Sequence, residues 1–453
     1  MAMLFFALRL PGVHLPYHQD EAKNVSASAT IVDAGKFFAH PPLMQMLFVL
    51  DRALFGADNF RVLPLLFSAG AVALLFLVVR RRAGEKAAWW STGLFVVCFY
   101  NVWGSLQTDV DGSILPFFFL LSAYVYDRFT SAAEPKTRRA WLMLLALVVL
   151  IGWLVKLSFV LVIGAFVLDY LWTHRRDAVT RRIAMAASGS IGFGAVYIAM
   201  LYLIQAVYPA FDIHFMIGHA NQFAGSDGRN WTQIIVQASK AIYYLSPLLL
   251  VPLIFATKDV LNKMRVQWLY RILGSIFYFV LFDFSQAALD KYLMFAIAPL
   301  AAIVGTIFAD LRFSRKGAIA GIVISIGLVA LNFMPQAVAA LYPKTDWFGR
   351  VAHLHWNVLT PMIGGSGPLG FYISFMFIAA SFIVTAVLLG TAFFKKEWCA
   401  PALAAILVIG ISYNAVFAEE LMFGKINGNS SVALANTIAF IAAHPEIKQV
   451  LTY

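Results

Sequence analysis

The sequence predicts an all-α polytopic membrane protein with about twelve or thirteen membrane helices, joined by outer-face loops and juxtamembrane helices. Three observations predict it. Of the 453 residues, 61% are hydrophobic and 13% charged, with a mean hydropathy of +0.78, the composition of a chain that sits in lipid. Apolar runs long enough to cross about 30 Å of hydrocarbon recur along the whole length, so no large soluble module is expected. The basic residues behind the net charge of +11 fall in short loops between those runs rather than in one patch.

Those loops orient the chain. Arg80, Arg81, Arg82 and Lys86 form the first cluster, and Arg128, Lys136, Arg138 and Arg139 the second. Arg175, Arg176, Arg181 and Arg182 follow, then Lys258, Lys263 and Arg265, then Arg312, Arg315 and Lys316, and finally Lys395 and Lys396. The positive-inside rule assigns all six loops to the cytoplasm, so nucleic acid is not needed to explain the charge and is not expected as a partner.

Threaded through that assignment, spans fall near 60–80, 87–106, 113–130, 183–207, 238–257, 268–287, 293–311, 317–337, 369–394 and 399–417. The stretch 138–173 begins and ends inside and is too long for one span, which predicts two short helices joined near Gly152 to Lys156. Residues 1–10 are too short to cross alone, and they lack the basic start and cleavage site of a signal peptide. Cys98 and Cys399 lie in or beside apolar runs and read as inert packing residues. The expected organisation is a membrane domain over 1–417 and a short outer-side tail, 418–453, which turns polar. Asn24 and Asn429 open glycosylation sequons, a pattern short enough to arise by chance.

This topology leaves 11–59, 107–112, 208–237, 287–292, 338–368 and the tail on the outer side, where the carboxylates at membrane level collect. Asp20, Glu21 and Asp33 lie in the first outer loop and Asp109 and Asp111 in the second. Asp212 stands in the third with His214 and His219, and Asp290 in the fourth. Ionised groups beside lipid are costly and are usually kept for chemistry or ion handling. Acidic groups on one face and basic loops on the other suit an outward-facing active site better than a midplane transport path, and no internal repeat is visible.

Asp20-Glu21, then His40-Pro41-Pro42-Leu43, then Leu54-Phe55-Gly56 and Arg61, resemble the first outer loop of the GT-C glycosyltransferases, above all the protein O-mannosyltransferases and the lipid A aminoarabinose transferases. Asp109, in Gln-Thr-Asp-Val-Asp-Gly, matches their second-loop aspartate, without the proline that often follows it there. Lys156, in Leu-Val-Lys-Leu-Ser, resembles their lysine between two short helices. His219 resembles their third-loop His-x-x-Arg-Phe, with Gln222 in place of arginine, and Asp290-Lys291-Tyr292 with Pro299 resembles the pattern opening a later span. The five motifs keep their order over roughly 11–311. Beside such relatives, the short start and tail look like those of a fragment or a short member.

The resemblance implies a GT-C fold and an inverting transfer of a sugar from a polyprenyl-phosphate carrier to an acceptor hydroxyl on the outer face of the cell membrane, without a nucleotide sugar. Protein, glycolipid and polysaccharide all stand as acceptors, and membrane lipid as the surrounding partner. Such a displacement needs a base for the acceptor proton and positive charge on the departing phosphate. Asp20 is the candidate base, against capping of the helix that follows. Asp109 is the second catalytic candidate and, with Asp111, a binding candidate, against capping of the 113–130 helix. Glu21 orients Asp20, binds a metal or is merely solvated, and Lys23 meets the carrier phosphate or snorkels. A lysine within an apolar stretch needs a partner, so Lys156 is expected to meet a phosphate or a carboxylate. Lys291 and Tyr292 join the substrate-binding set on resemblance. His40 and His219 either donate to phosphate or, with Glu21, hold a divalent metal, although histidines in separate loops have no diagnostic spacing. The rival classes are a transporter or flippase of lipid-linked sugars and a non-catalytic subunit of a glycan assembly complex.

Overall fold

A computed structural model of the chain describes residues 1–17, 19–29, 40–56, 58–174, 179–223, 229–283, 289–310, 314–336, 344–362 and 370–449. Among these, seven helices are long and apolar enough to cross a membrane, and four shorter apolar helices accompany them. The protein is multi-pass and almost wholly helical. Its residues group into two compact units, one holding 1–9, 19–245 and 249–312, the other 10–18, 246–248 and 313–453.

The first unit holds α1 (Ala2–Ala7), α2 (Gln19–Ala27), α3 (Leu43–Phe55), α4 (Val62–Ala83), α5 (Glu85–Val97), α6 (Phe99–Ser105) and α7 (Ile114–Ser131). It continues with α8 (Pro135–Val155), α9 (Val160–Thr173), α10 (Val179–Val207), α11 (Ile213–Asn221), α12 (Trp231–Leu250, broken at Ser246), α13 (Arg265–Ile276) and α14 (Ile297–Ala309). Several spans expected as single helices are broken. The run 87–106 divides at Cys98, whose backbone is extended, into α5 and α6. That break leaves the carbonyl of Val96 without a helical partner, and the buried Arg9 guanidinium donates to it at 3.3 and 3.4 Å while its Nε donates to Ser105 Oγ at 2.7 Å.

The stretch 138–173 does divide at Lys156, as expected, but its first half is a full-length helix of 21 residues rather than a short one. Gly152 explains the break. The ring of Phe159 lies where a Cβ on Gly152 would stand, 2.5 Å from it, so the short 3-10 turn Leu157–Phe159 folds back against α8 and leaves Lys156 extended. Close approach recurs elsewhere: α14 packs on α5 through Gly305, whose Cβ would lie 2.1 Å from Ser91 Oγ. Leu154, Tyr197, Leu201, Phe211, Ile213 and Met216 form a buried cluster that joins α8, α10 and α11, with Trp153 stacked on Tyr197 at 4.0 Å.

In the second unit, Arg315–Ala330 and Cys399–Met422 pack through Gly317 and Gly321. A small antiparallel sheet, β1 (Leu359–Met362) and β2 (Phe371–Ser374), precedes the helix Phe375–Phe394 and was not visible in the hydropathy pattern. Both sequon asparagines are buried in structural roles. Asn429 caps the helix Ser430–Ala443 by accepting from Val432 N at 2.8 Å, and Asn24 donates to the Thr108 carbonyl at 2.8 Å.

Candidate active site

The first unit brings five of the sequence's charged candidates into one network. Lys291, at the end of a one-turn helix Leu289–Tyr292, donates from Nζ to Asp20 Oδ2 at 2.8 Å and to Asp109 Oδ2 at 3.0 Å. Lys156 donates to Asp111 Oδ2 at 2.5 Å. The ring of Tyr292 couples the two pairs, with Lys156 Nζ 4.4 Å and Lys291 Nζ 5.2 Å from its centroid. Three carboxylates thus face two ammonium groups drawn from α2, the 106–113 loop, the break after α8 and the 289–292 turn.

Neither aspartate pair serves as a helix cap. Asp20 lies inside the first turn of α2 and turns its carboxylate to Lys291. Asp109 Oδ1 accepts from Val110 N at 2.6 Å, whereas the residue ahead of α7 is Ser113. Burial alone would raise the Asp109 carboxyl, but Lys291 and Lys156 outweigh it and hold the group well below the usual carboxylate range. For Asp111, burial prevails over Lys156 and pushes the carboxyl up. Burial disfavours the Lys291 ammonium, yet Asp109, Tyr292 and Asp20 together raise it well above its ordinary value, so it stays cationic.

Glu21 is neither solvated nor available to a metal. Its carboxylate, 4% exposed, accepts from Arg61 Nη2 at 3.1 Å, from Arg61 Nε at 3.3 Å and from Thr108 N at 2.9 Å. It joins α2 to the head of α4 and to the second loop, one residue before Asp109. Lys23 is exposed on α2, and its charge helps to lower His219.

The His40 and His219 rings meet edge-to-face with centroids 5.8 Å apart. Burial and the Lys156 charge depress His40 to about 3, so its imidazole is neutral at physiological pH. Burial, then Lys23, also lowers His219. Among the described residues no three His, Cys, Asp or Glu side chains group as metal ligands. With Glu21 committed to Arg61 and Thr108, the donor set does not fit a divalent ion. Asp212 caps α11 by accepting from His214 N at 2.8 Å. Asp33 and the Asp290 side chain lie outside the described residues.

Beside the charged network lies a cavity of about 260 Å³. Lys156, Tyr292, His40 and His219 line its polar rim, and Trp153, Phe223, Phe277 and Tyr278 are among its apolar walls. Tyr278 stacks parallel to Tyr292 at 5.9 Å. Polar and apolar side chains lining one cavity suit an amphiphile with an anionic head.

Two features of the site are not legible in the linear sequence. Arg61 was seen only as part of a motif, and nothing in linear spacing announces that it would fork onto Glu21. The second is the contact of Gly104 with Gly112, where a Cβ on Gly112 would lie 2.2 Å from Gly104 Cα. This contact folds the second loop back on α6 and fixes Asp109 and Asp111. Gly112→Ala is therefore expected to destabilise the protein by about 1–3 kcal/mol, read as a lower thermal midpoint in detergent. Gly218→Ala, where an added Cβ meets nothing within 4 Å, is the unaffected control.

Comparison with known proteins follows this geometry. Residues 39–203 match the family model described as dolichyl-phosphate-mannose-protein mannosyltransferase. That stretch contains His40, Arg61, Asp109, Asp111 and Lys156. The chain is 24% identical over 365 residues to the undecaprenyl phosphate-alpha-4-amino-4-deoxy-L-arabinose arabinosyl transferase of Shewanella sediminis (strain HAW-EB3). The match covers 72% of this chain and 63% of that protein, so the chain spans under two thirds of its curated relative. Its fold is similar to that of ArnT from Cupriavidus metallidurans bound to undecaprenyl phosphate, with a TM-score of 0.59 at 19% identity, covering 100% of this chain and 79% of the other. The apo form of the same protein matches with a TM-score of 0.59 at 17% identity.

Proposed function

The chain is a GT-C-fold membrane protein related to the lipid A aminoarabinose transferases, and from that premise we propose that it is a glycosyltransferase using a polyprenyl-phosphate-linked sugar. The observation that carries this reading is the cavity whose rim bears Lys156 and whose walls are aromatic, set beside the Lys291 network. A phosphate at the rim finds two ammonium groups, and the first prenyl units fill the apolar interior. The related protein crystallised with undecaprenyl phosphate supports the same class of carrier.

In the proposed reaction the acceptor oxygen attacks the anomeric carbon, and the bond from that carbon to the phosphate oxygen breaks with its electron pair leaving on the phosphate. Asp20 takes the hydroxyl proton, and Lys156 and Lys291 balance the charge that develops on the carrier. A single displacement inverts the anomeric centre. Asp109 and Asp111 hold the lysines in place, and neutral His40 and His219 stand at the rim as hydrogen-bond partners for the carrier phosphate. The site is proposed to face the outer side. On α8 the residues Arg138 and Arg139 sit near one end and Lys156 just beyond the other, about 26 Å away, which supports basic loops and site toward opposite membrane faces. The kinship with lipid A aminoarabinose transferases favours a glycolipid as the acceptor class.

The test is product analysis by mass spectrometry after incubating the purified protein with a panel of polyprenyl-phosphate sugars and lipid A. A covalent glycolipid product with release of polyprenyl phosphate is expected. Movement of intact donor across sealed vesicles without any product would replace the enzyme with a transporter.

A further inference from the structure

The end of α8 remote from Lys156 carries a feature that the proposed reaction does not use. There α7, α8, α9 and α10 enclose an open groove of about 610 Å³, within the size range of small-molecule sites. Phe129, Phe166, Val167 and Phe193 are among its walls, and Arg138 and Arg139 stand at its edge. The Arg138 guanidinium lies 5.2 Å from the centroid of Phe129, which holds it against the apolar wall.

These two arginines differ from others at the same end of the bundle. Arg81 and Arg82 both pair with Asp127, at 2.5 and 2.6 Å, and Arg265 pairs with Asp169 at 2.5 Å. Asp169 also accepts from Tyr126 at 2.8 Å. Among the described residues no carboxylate lies within ion-pair distance of Arg138 or Arg139. The nearest in sequence, Glu134, accepts from Thr137 Oγ1 at 2.8 Å. The bundle therefore pairs three arginines with two carboxylates, whereas Arg138 and Arg139 stand at the apolar groove without a carboxylate partner among the described residues.

We propose that this groove binds one anionic glycerophospholipid, its phosphate between Arg138 and Arg139 and an acyl chain along Phe129, Phe166 and Phe193. The forked guanidinium matches phosphate oxygens, and a paired anion removes the repulsion between two adjacent arginines. The apolar walls at the groove floor lose water to the chain, while the surrounding bilayer supplies the ligand. A zwitterionic head would bring an ammonium group to the same two cations and lose the advantage. Charge complementarity thus selects the anionic lipid over the neutral bulk.

Native mass spectrometry of the full-length protein in detergent, with equal amounts of phosphatidylglycerol and phosphatidylcholine, tests this. One retained phosphatidylglycerol is expected, preferred by about tenfold or more, as one charge-assisted hydrogen bond supplies. R138Q/R139Q should abolish the preference without changing the thermal midpoint, since both side chains are exposed. Gly189→Leu provides an independent arm, because a Cβ there meets nothing within 4 Å and the residue lines the groove. It should lower retention of phosphatidylglycerol while keeping or raising helix stability. Equal retention of the two lipids overturns the proposal, as does a preference that survives R138Q/R139Q. So does displacement of the lipid by inorganic phosphate alone, or stronger retention of undecaprenyl phosphate in the same groove.

Discussion

Asp20→Asn is expected to lower sugar transfer by about 10²–10⁴-fold, the usual contribution of a general base, while donor binding and thermal midpoint stay near those of the parent. Asparagine keeps the shape of the side chain and its acceptor oxygen for Lys291, but it cannot take a proton. The fold has little stake in the residue: the Asp20 side chain is 61% exposed, and an exposed ion pair is worth about 0–1 kcal/mol. Mass spectrometry of the product, paired with retention of polyprenyl-phosphate sugar by the same sample, reads the two quantities separately. Transfer at the parental rate by a folded Asp20→Asn protein would move the proton to another group, with Asp109 next in line. Asp109 is buried and held by both Lys291 and Val110 N, so it is the weaker base and the better anchor.

Glu21→Ala is expected to unfold the protein far more readily, at a cost of about 3–5 kcal/mol, because it takes the carboxylate partner from a buried guanidinium. Arg61 is 2% exposed, and its Nε and Nη2 donate to Glu21. Arg61→Ala should cost a similar amount by removing the cation that faces the buried carboxylate. The pair Glu21→Leu with Arg61→Met fills the space with hydrocarbon and should recover most of the loss, since neither charge is then left alone. Thermal midpoints of the three variants in one detergent measure the coupling. Additive losses in the double variant would mean that the fork contributes nothing beyond its separate parts.

The fold and the site were legible to different depths in the sequence. Apolar length and basic loops suffice for a multi-pass helical protein, because lipid imposes them on every span. Breaks within spans were less visible: the division at Lys156 could be read from its charge and from Gly152, whereas the one at Cys98 has no marker in composition. Asp20, Asp109, Lys156 and Lys291 could each be picked out as a charge that apolar surroundings make costly. Their pairing could not, since Asp20 and Lys291 are 271 residues apart and meet only through the packing of several helices. The sequence singles out Asp20 as candidate base and leaves the role of Glu21 open. The position of Arg61 and the Thr108 amide makes Glu21 an anchor. The β1–β2 hairpin escaped because each strand has four residues, too few for alternation to register.

Lys291 holds two aspartates before any substrate arrives, and this bears on turnover. A carrier phosphate bound there would have to share the ammonium with Asp20 and Asp109 or exchange with them. The exchange tempers donor affinity, but it also works in reverse. In the proposed reaction the carrier leaves as a phosphate monoester with more negative charge than the donor diester, and it would cling to an uncommitted lysine. Two resident carboxylates competing for the same cation would help to eject that product, so the network that delays binding would also keep the spent carrier from poisoning the site.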